Sequence, residues 1–420
     1  MQITPGMSAI SVNPAFDLSD VLRPGSVVAW PQGAGEPLGL TAQLVARRHA
    51  LPPVELLIGM CTSTTLLAEH ADRLTMRGLN AAGNNRGLAA AGVLDIVPAH
   101  ISAIPGLLRS GAIKVDIALV RVRMHPIAGY VTTGVVADYT QALIAAARCV
   151  VAELDDRLPL TGQDALIPIS AIDHFVPATG AEMLLPDPVP SPIDIAVARQ
   201  VASFIPDRAT VQLGIGSMPV AVARSLVGHR DLGIHTGVVS DVLVDLVESG
   251  AATNAWKGID EGISVTGGLF GTRRLLDFAD GNPALAMRSA DYTHQLATMA
   301  RINMLYSVNS AIEVDITGQV NAEQAGGRYL GAVGGQLDFV RGAQASPGGR
   351  SIIALPSTTP DGQRSRLVRS LEGRPVTTPR SDVDVIITEY GVAELRGCSF
   401  SERASRLAAI AHPDFRAELR

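Results

Sequence analysis

Three short segments hold residues whose types and spacing can do chemistry. The run Gly214-Ile215-Gly216-Ser217-Met218-Pro219 closes one apolar stretch and opens an Ala/Val-rich one. It reads as a strand-to-helix turn with proline in the first helical turn, where its missing N–H is no loss. Free amides around Gly214, Gly216 and Ser217, together with the helix dipole, suit an anion or a developing oxyanion. This is not a nucleotide fingerprint, because proline stands where GxGxxG has its third glycine and no acidic residue follows at the expected spacing. On this segment alone, a plain tight turn accounts for the pattern equally well.

The second segment is Gly331-Ala332-Val333-Gly334-Gly335-Gln336-Leu337-Asp338, where glycine lets the backbone approach a ligand closely. A bare loop is its default reading. Two such loops matter more together, since acyl transfer at a thioester needs two donors converging on one carbonyl oxygen. Gln336 and Asp338 would then be polar neighbours of the bound group. The third segment is Gly233-Ile234-His235-Thr236-Gly237-Val238-Val239-Ser240-Asp241. If 233–237 is a strand, His235 and Gly237 share a face. A lone strand histidine is more often structural than a base, and Ser240 and Asp241 most simply cap a helix over 242–248. Arg273 and Arg274 fit either phosphate contacts or a solvated helix start, and 318–321 reads as a hairpin turn.

These segments must be held by a framework, and the framework reads as α/β with largely parallel sheets in two domains. Candidate strands are Ser26–Trp30, Val54–Gly59, Val115–Val122, Cys149–Leu154, Thr210–Gly216, Gly233–Gly237, Ile263–Gly267, Ser351–Pro356 and Asp384–Tyr390. At 420 residues the chain exceeds one comfortable core. The proline-rich run Leu184–Pro192 disfavours helix and interior strand alike, which puts domains at 1–186 and 193–420 with 187–192 as linker. Residues 26–48 and 210–228 share the order strand, Gly-rich turn, helix, and the runs at 115–120 and 383–388 are both apolar strands led by Val-Asp. Two related domains facing a shared cleft would explain this.

A formal charge of -6 and 18% charged residues supply no basic stripe, so nucleic acid is not an expected partner. Cys61, Cys149 and Cys398 are distant and lack metal or disulfide spacing, so they read as buried small hydrophobes. The amino-terminal twenty residues show neither a basic n-region nor a long apolar run, and no stretch is long enough to cross a membrane. A cytoplasmic protein is the expectation.

Taken in order, VQLGIG followed two residues later by Pro219, then DLGIHT, SDVLVDLVESG, VNSAIEVDITGQVNAE, GGQLDFVRGA, TTPRSDVDVIITEYGVAELRG and IAHPDFR resemble the acetyl-CoA hydrolase/transferase family, which includes the 4-hydroxybutyrate and butyrate:acetate CoA-transferases. Upstream, GAGEP at 33–37, GYVTTGVVADYT at 129–140 and ISAIDHFV at 169–176 resemble it too, so the likeness spans nearly the whole chain. The resemblance implies two open α/β domains, a CoA thioester as substrate, no metal, and a homodimer. It also implies an oxyanion site made by the amides of Met218 and Gly334, with Gly214, Gly216, Ser217, Gly335, Gln336 and Asp338 around the ligand.

In such enzymes a glutamate attacks the acyl-CoA and becomes a glutamyl-CoA thioester. By resemblance that glutamate belongs at Gly237, and glycine offers no nucleophile. Asp260-Glu261 also replaces a usual His-Pro-Gly turn, and Ala332 a glycine of the second loop. Three readings follow: a hydrolase (thioester or C–C) with His235 or Asp241 assisting water; a CoA-transferase using a relocated carboxylate such as Glu261 or Asp291; and a non-catalytic acyl-CoA-binding pseudoenzyme or partner subunit. A nicotinamide dehydrogenase fits worst. Gly237→Glu should restore exchange if the surroundings are transferase-like.

Overall fold

The computed structural model describes residues 10–419; residues 1–9, on which part of the amino-terminal reading falls, lie outside the described residues. The chain forms two compact units, one of residues 1–185 and 267–291 and the other of 186–266 and 292–420. The stretch 267–291 thus lies inside what the sequence reading assigns to the second domain, yet it packs with the first.

In the first unit, β1 (Val27–Trp30), β2 (Val54–Ile58), β3 (Leu74–Gly78), β4 (Leu94–Ile96), β5 (Ile117–Met124), β7 (Cys149–Leu154) and β9 (His174–Pro177) form a parallel sheet ordered β4-β3-β2-β1-β5-β7-β9. β6 (Tyr130–Thr132) and β8 (Leu166–Pro168) extend β5 in antiparallel pairing. The inner strands are apolar on both faces, as a sheet covered on both sides requires, and residues 117–122 are all buried. Strand order reverses between β1 and β5. Ligands bind open α/β sheets at such a reversal, beyond the carboxyl ends of the strands.

The second unit repeats this plan. β10 (Thr210–Leu213), β11 (Gly233–Ile234), β12 (Leu305–Ser310), β13 (Arg350–Ala354), β14 (Val385–Thr388) and β15 (Gly391–Glu394) are ordered β11-β10-β12-β13-β14-β15. All pairs are parallel except the last. The reversal falls between β10 and β12. Segments 26–48 and 210–228 therefore hold equivalent places, each supplying the strand at its sheet's reversal. The two Val-Asp runs do not, since β5 lies beside β1 while β14 lies three strands from β10.

Several expected strands end early. The run expected over 210–216 stops at Leu213, and that over 233–237 stops at Ile234, so alternation cannot put His235 and Gly237 on one face. Glu313–Asp315 pairs antiparallel with Val320–Asn321 around Gly318, as the hairpin reading has it. Cys61 and Cys149 are buried, but Cys398 is partly exposed. Among the described residues no helix is long and apolar enough to cross a membrane.

Candidate functional site

The Gly214 turn sits at the reversal point of the second sheet. β10 ends at Leu213, and after the turn helix α1 (Ser217–Ser225) begins. Gly216 is its cap at φ 112° and ψ 179°, a conformation open to glycine and costly for any side chain. No side chain caps this helix, so the amides of Ser217 and Met218 are left for something outside it. On the far side of the reversal, Gln212 and Asn309 clip β10 to β12 through their side-chain amides, with Asn309 Nδ2 donating to Gln212 Oε1 at 3.1 Å.

The second loop has the same construction. Gly334 lies at φ 58° and Gly335 caps helix α3 (Gln336–Ala345), again without a side-chain cap. α1 joins β10 to β11 and α3 leads from the β12 side into β13, so the two crossovers run in opposite directions along the sheet. Right-handed crossovers then put the helices on opposite faces with both N-termini at the carboxyl edge. Gln336 is 8% exposed and its buried Nε2 has no hydrogen-bond partner. A polar group so placed costs free energy unless something hydrogen-bonds to it. Asp338 lies in the same first turn.

His235 is fully buried, and its Nε2 lies 3.0 Å from the carbonyl oxygen of Thr293, so that nitrogen donates and the ring orients the backbone next to His294. Thr236 Oγ1 donates to Leu213 O at 2.8 Å, tying this segment to the glycine turn. Asp241 stands at the cap position of helix α2 (Val242–Glu248) but makes no side-chain cap. Asp187 lies near Ser240 and Val242, and burial raises its pKa. A cavity of about 30 Å³ lies between the Gly214 turn and α2, lined by Leu213, Pro219, Thr236 and Val238 among others.

Gly237 follows directly. Its φ is not positive, so the backbone would accept a side chain, yet a Cβ there would lie 2.7 Å from His294 Cε1 and 2.9 Å from Nε2. His294 is 7% exposed, lies 4.7 Å from the Phe339 ring of α3 with the two planes tilted at 60°, and places Nδ1 2.8 Å from Thr293 Oγ1. Burial, reinforced by His235, pushes its pKa down to about 3. The sequence reading missed His294 entirely. It also missed Lys257, fully buried with Nζ donating to Ile234 O and Ile263 O, its pKa lowered by burial to about 8. Lys257 holds the end of β11 in place just before His235.

The alternative carboxylates are otherwise engaged or remote from such burial. Asp291 belongs to the first unit, in a two-point pair with Arg109 at 2.7 and 2.8 Å, and Glu261 is exposed. Arg273 pairs with Glu182 and Asp277 at the start of its helix. The first unit has its own polar cluster at its reversal point. Glu36, 1% exposed, accepts from Thr41 and Ser63 hydroxyls, and burial raises its pKa. Asp138 accepts from Gln32 Nε2 at 2.9 Å, and burial pushes it up to about 6.

A mostly parallel sheet of this order, with glycine-capped helix ends at its carboxyl edge, defines an α/β protein. Residues 11–183 match the acetyl-CoA hydrolase/transferase N-terminal domain and residues 271–420 the C-terminal domain, and the chain belongs to that family. It is 36% identical over 397 residues to 4-hydroxybutyrate coenzyme A transferase of Clostridium kluyveri, covering 94% of this chain and 92% of that one. It is 33% identical over 412 residues to butyryl-CoA:acetate CoA-transferase of Anaerostipes caccae, covering 95% and 92%. Among solved structures, RipA from Yersinia pestis superposes with a TM-score of 0.89 at 34% identity, covering 95% of this chain and 93% of that one. The stretch between the two matched domains carries the Gly214 turn, His235 and Gly237.

Proposed function

We propose that this enzyme hydrolyses a CoA thioester, with water in place of an enzyme carboxylate as the attacking group. The observation that carries this reading is Gly237 with a buried imidazole against it, at the position where the family resemblance puts a nucleophilic glutamate. The Met218 amide in the first turn of α1 and the Gly334 amide in the loop before α3 are the donors that take the developing oxyanion. Gln336 and Asp338 meet the polar part of the ligand, and Gly214, Gly216, Ser217 and Gly335 leave room for it. The protein acts as a cytoplasmic homodimer without a metal.

The named relatives are CoA-transferases, and this favours a second reading, transfer to a carboxylate through a carboxylate elsewhere in the chain. One experiment separates them. Purified protein is given acetyl-CoA and butyryl-CoA, each with and without added carboxylate, and free thiol and new thioester are both measured. Thiol release that needs no acceptor supports hydrolysis; new thioester formed only with acceptor, with a trappable glutamyl thioester, overturns it. Binding without turnover across the panel would leave an acyl-CoA-binding protein.

A further inference from the structure

We propose that His294 is the general base of this site, its Nε2 taking the proton of the attacking water, and that the same ring keeps position 237 without a side chain. This rests on the hydrolytic reading above. The backbone at Gly237 is ordinary. Because its φ lies outside the left-handed region, nothing in the main chain demands glycine there. What excludes a side chain is the imidazole, whose Cε1 and Nε2 lie 2.7 and 2.9 Å from where a Cβ would be, closer than packed atoms approach. The ring therefore occupies the volume into which a glutamate at 237 would start to project.

Its orientation is fixed from three sides. The Phe339 ring packs against it at 4.7 Å, tilted by 60°, Thr293 Oγ1 meets Nδ1 at 2.8 Å, and His235 holds the Thr293 carbonyl. Among the described residues His294 Nε2 makes no hydrogen bond. With the proton on Nδ1 and donated to the Thr293 hydroxyl, Nε2 presents a lone pair toward Gly237. Burial keeps the ring in this neutral, accepting form. Phe339 belongs to the first turn and a half of α3, so the base and the Gly334-Gly335 amides are carried by one element.

The step balances without another reagent. Water oxygen bonds to the thioester carbon, its proton passes to His294 Nε2, and the carbonyl electron pair becomes an oxyanion held by the amides. Collapse breaks the C–S bond, the thiolate recovers the proton from His294, and the products are a carboxylic acid and free CoA.

The test uses the full chain with acetyl-CoA and reads thiol release. His294→Ala and His294→Gln should each lower kcat by about a hundredfold or more with KM little changed, and added imidazole should restore His294→Ala but not His294→Gln. His294→Gln keeps the packing if His294→Ala fails to fold. If wild type hydrolyses and both variants match it within a few-fold, or if folded His294→Ala gains nothing from imidazole, the base assignment fails while the hydrolytic reading stands. If wild type releases thiol only with an acceptor, both fall. In a second arm, acetyl-CoA:acetate exchange should appear in Gly237→Glu combined with His294→Gly and not in Gly237→Glu alone; equal exchange in both overturns the steric half.

Discussion

The two units place a turn at the same topological position and furnish it in opposite ways. After β1, the turn 31–37 is filled with acceptors: Glu36 is locked by two hydroxyls, Asp138 by Gln32, and the carboxylate of Glu153 accepts from the Leu40 amide at the start of the following helix. That helix end is already met by a carboxyl group of the protein itself, its pKa pushed up by burial to about 7. After β10, the turn 214–218 carries no carboxylate and no side-chain cap, so its donors remain for a ligand. Sheet topology selects the place, and loop residues decide whether it stores charge or accepts it.

The donor turn depends most on Gly216. Gly216→Ala has open space for its methyl, so any loss must come from the backbone at φ 112°. Thiol release should fall by about two orders of magnitude, as when an oxyanion donor is misplaced, while the melting temperature shows only a strain cost of about 1–3 kcal/mol. Unchanged turnover would mean that the free amides of α1 have no catalytic use.

On the acceptor side, Asp138 has a folded pKa of about 6 against 3.8 unfolded. The folded state therefore holds the proton more tightly, and stability fully present below pH 3.8 is lost as pH rises through 6, by roughly 3 kcal/mol. Asp138→Asn should flatten that part of the denaturation profile between pH 4 and 6. A profile identical to wild type would show that this carboxylate is not held as its burial indicates.

Gln336→Leu sharpens the donor side. Removing the unpartnered Nε2 should leave stability unchanged or raised, yet raise KM for acyl-CoA about tenfold, near the value of one ligand hydrogen bond. A drop in stability with no change in KM would place this amide in the packing instead.

Much of the frame was legible because it rests on local apolar patterning. Cys149–Leu154 matches its expected strand residue for residue, and Val54–Ile58 and Val385–Thr388 differ only at their ends. The central strand Leu305–Ser310 escaped notice because its sequence, LYSVNS, breaks the apolar run with Ser307 and Asn309, which are satisfied or buried only through neighbouring strands. The glycine turns were visible as turns, since glycine and proline act locally. His294, Lys257, Glu36 and Asp138 were not read as site residues, because burial gives each its meaning, and burial comes from residues far away in the chain.

The ordinary backbone at Gly237 has a consequence for how such a chain could change over time. No main-chain rearrangement separates glycine from glutamate there, so the obstacle is one aromatic ring supplied by a distant codon. Losing the ring first leaves a gap beside Phe339, which a folded protein can tolerate; acquiring the acid first forces two groups into one volume. The two substitutions are therefore not interchangeable in order, and a survey of relatives that inspects one position without the other would misjudge which chemistry a given lineage can reach.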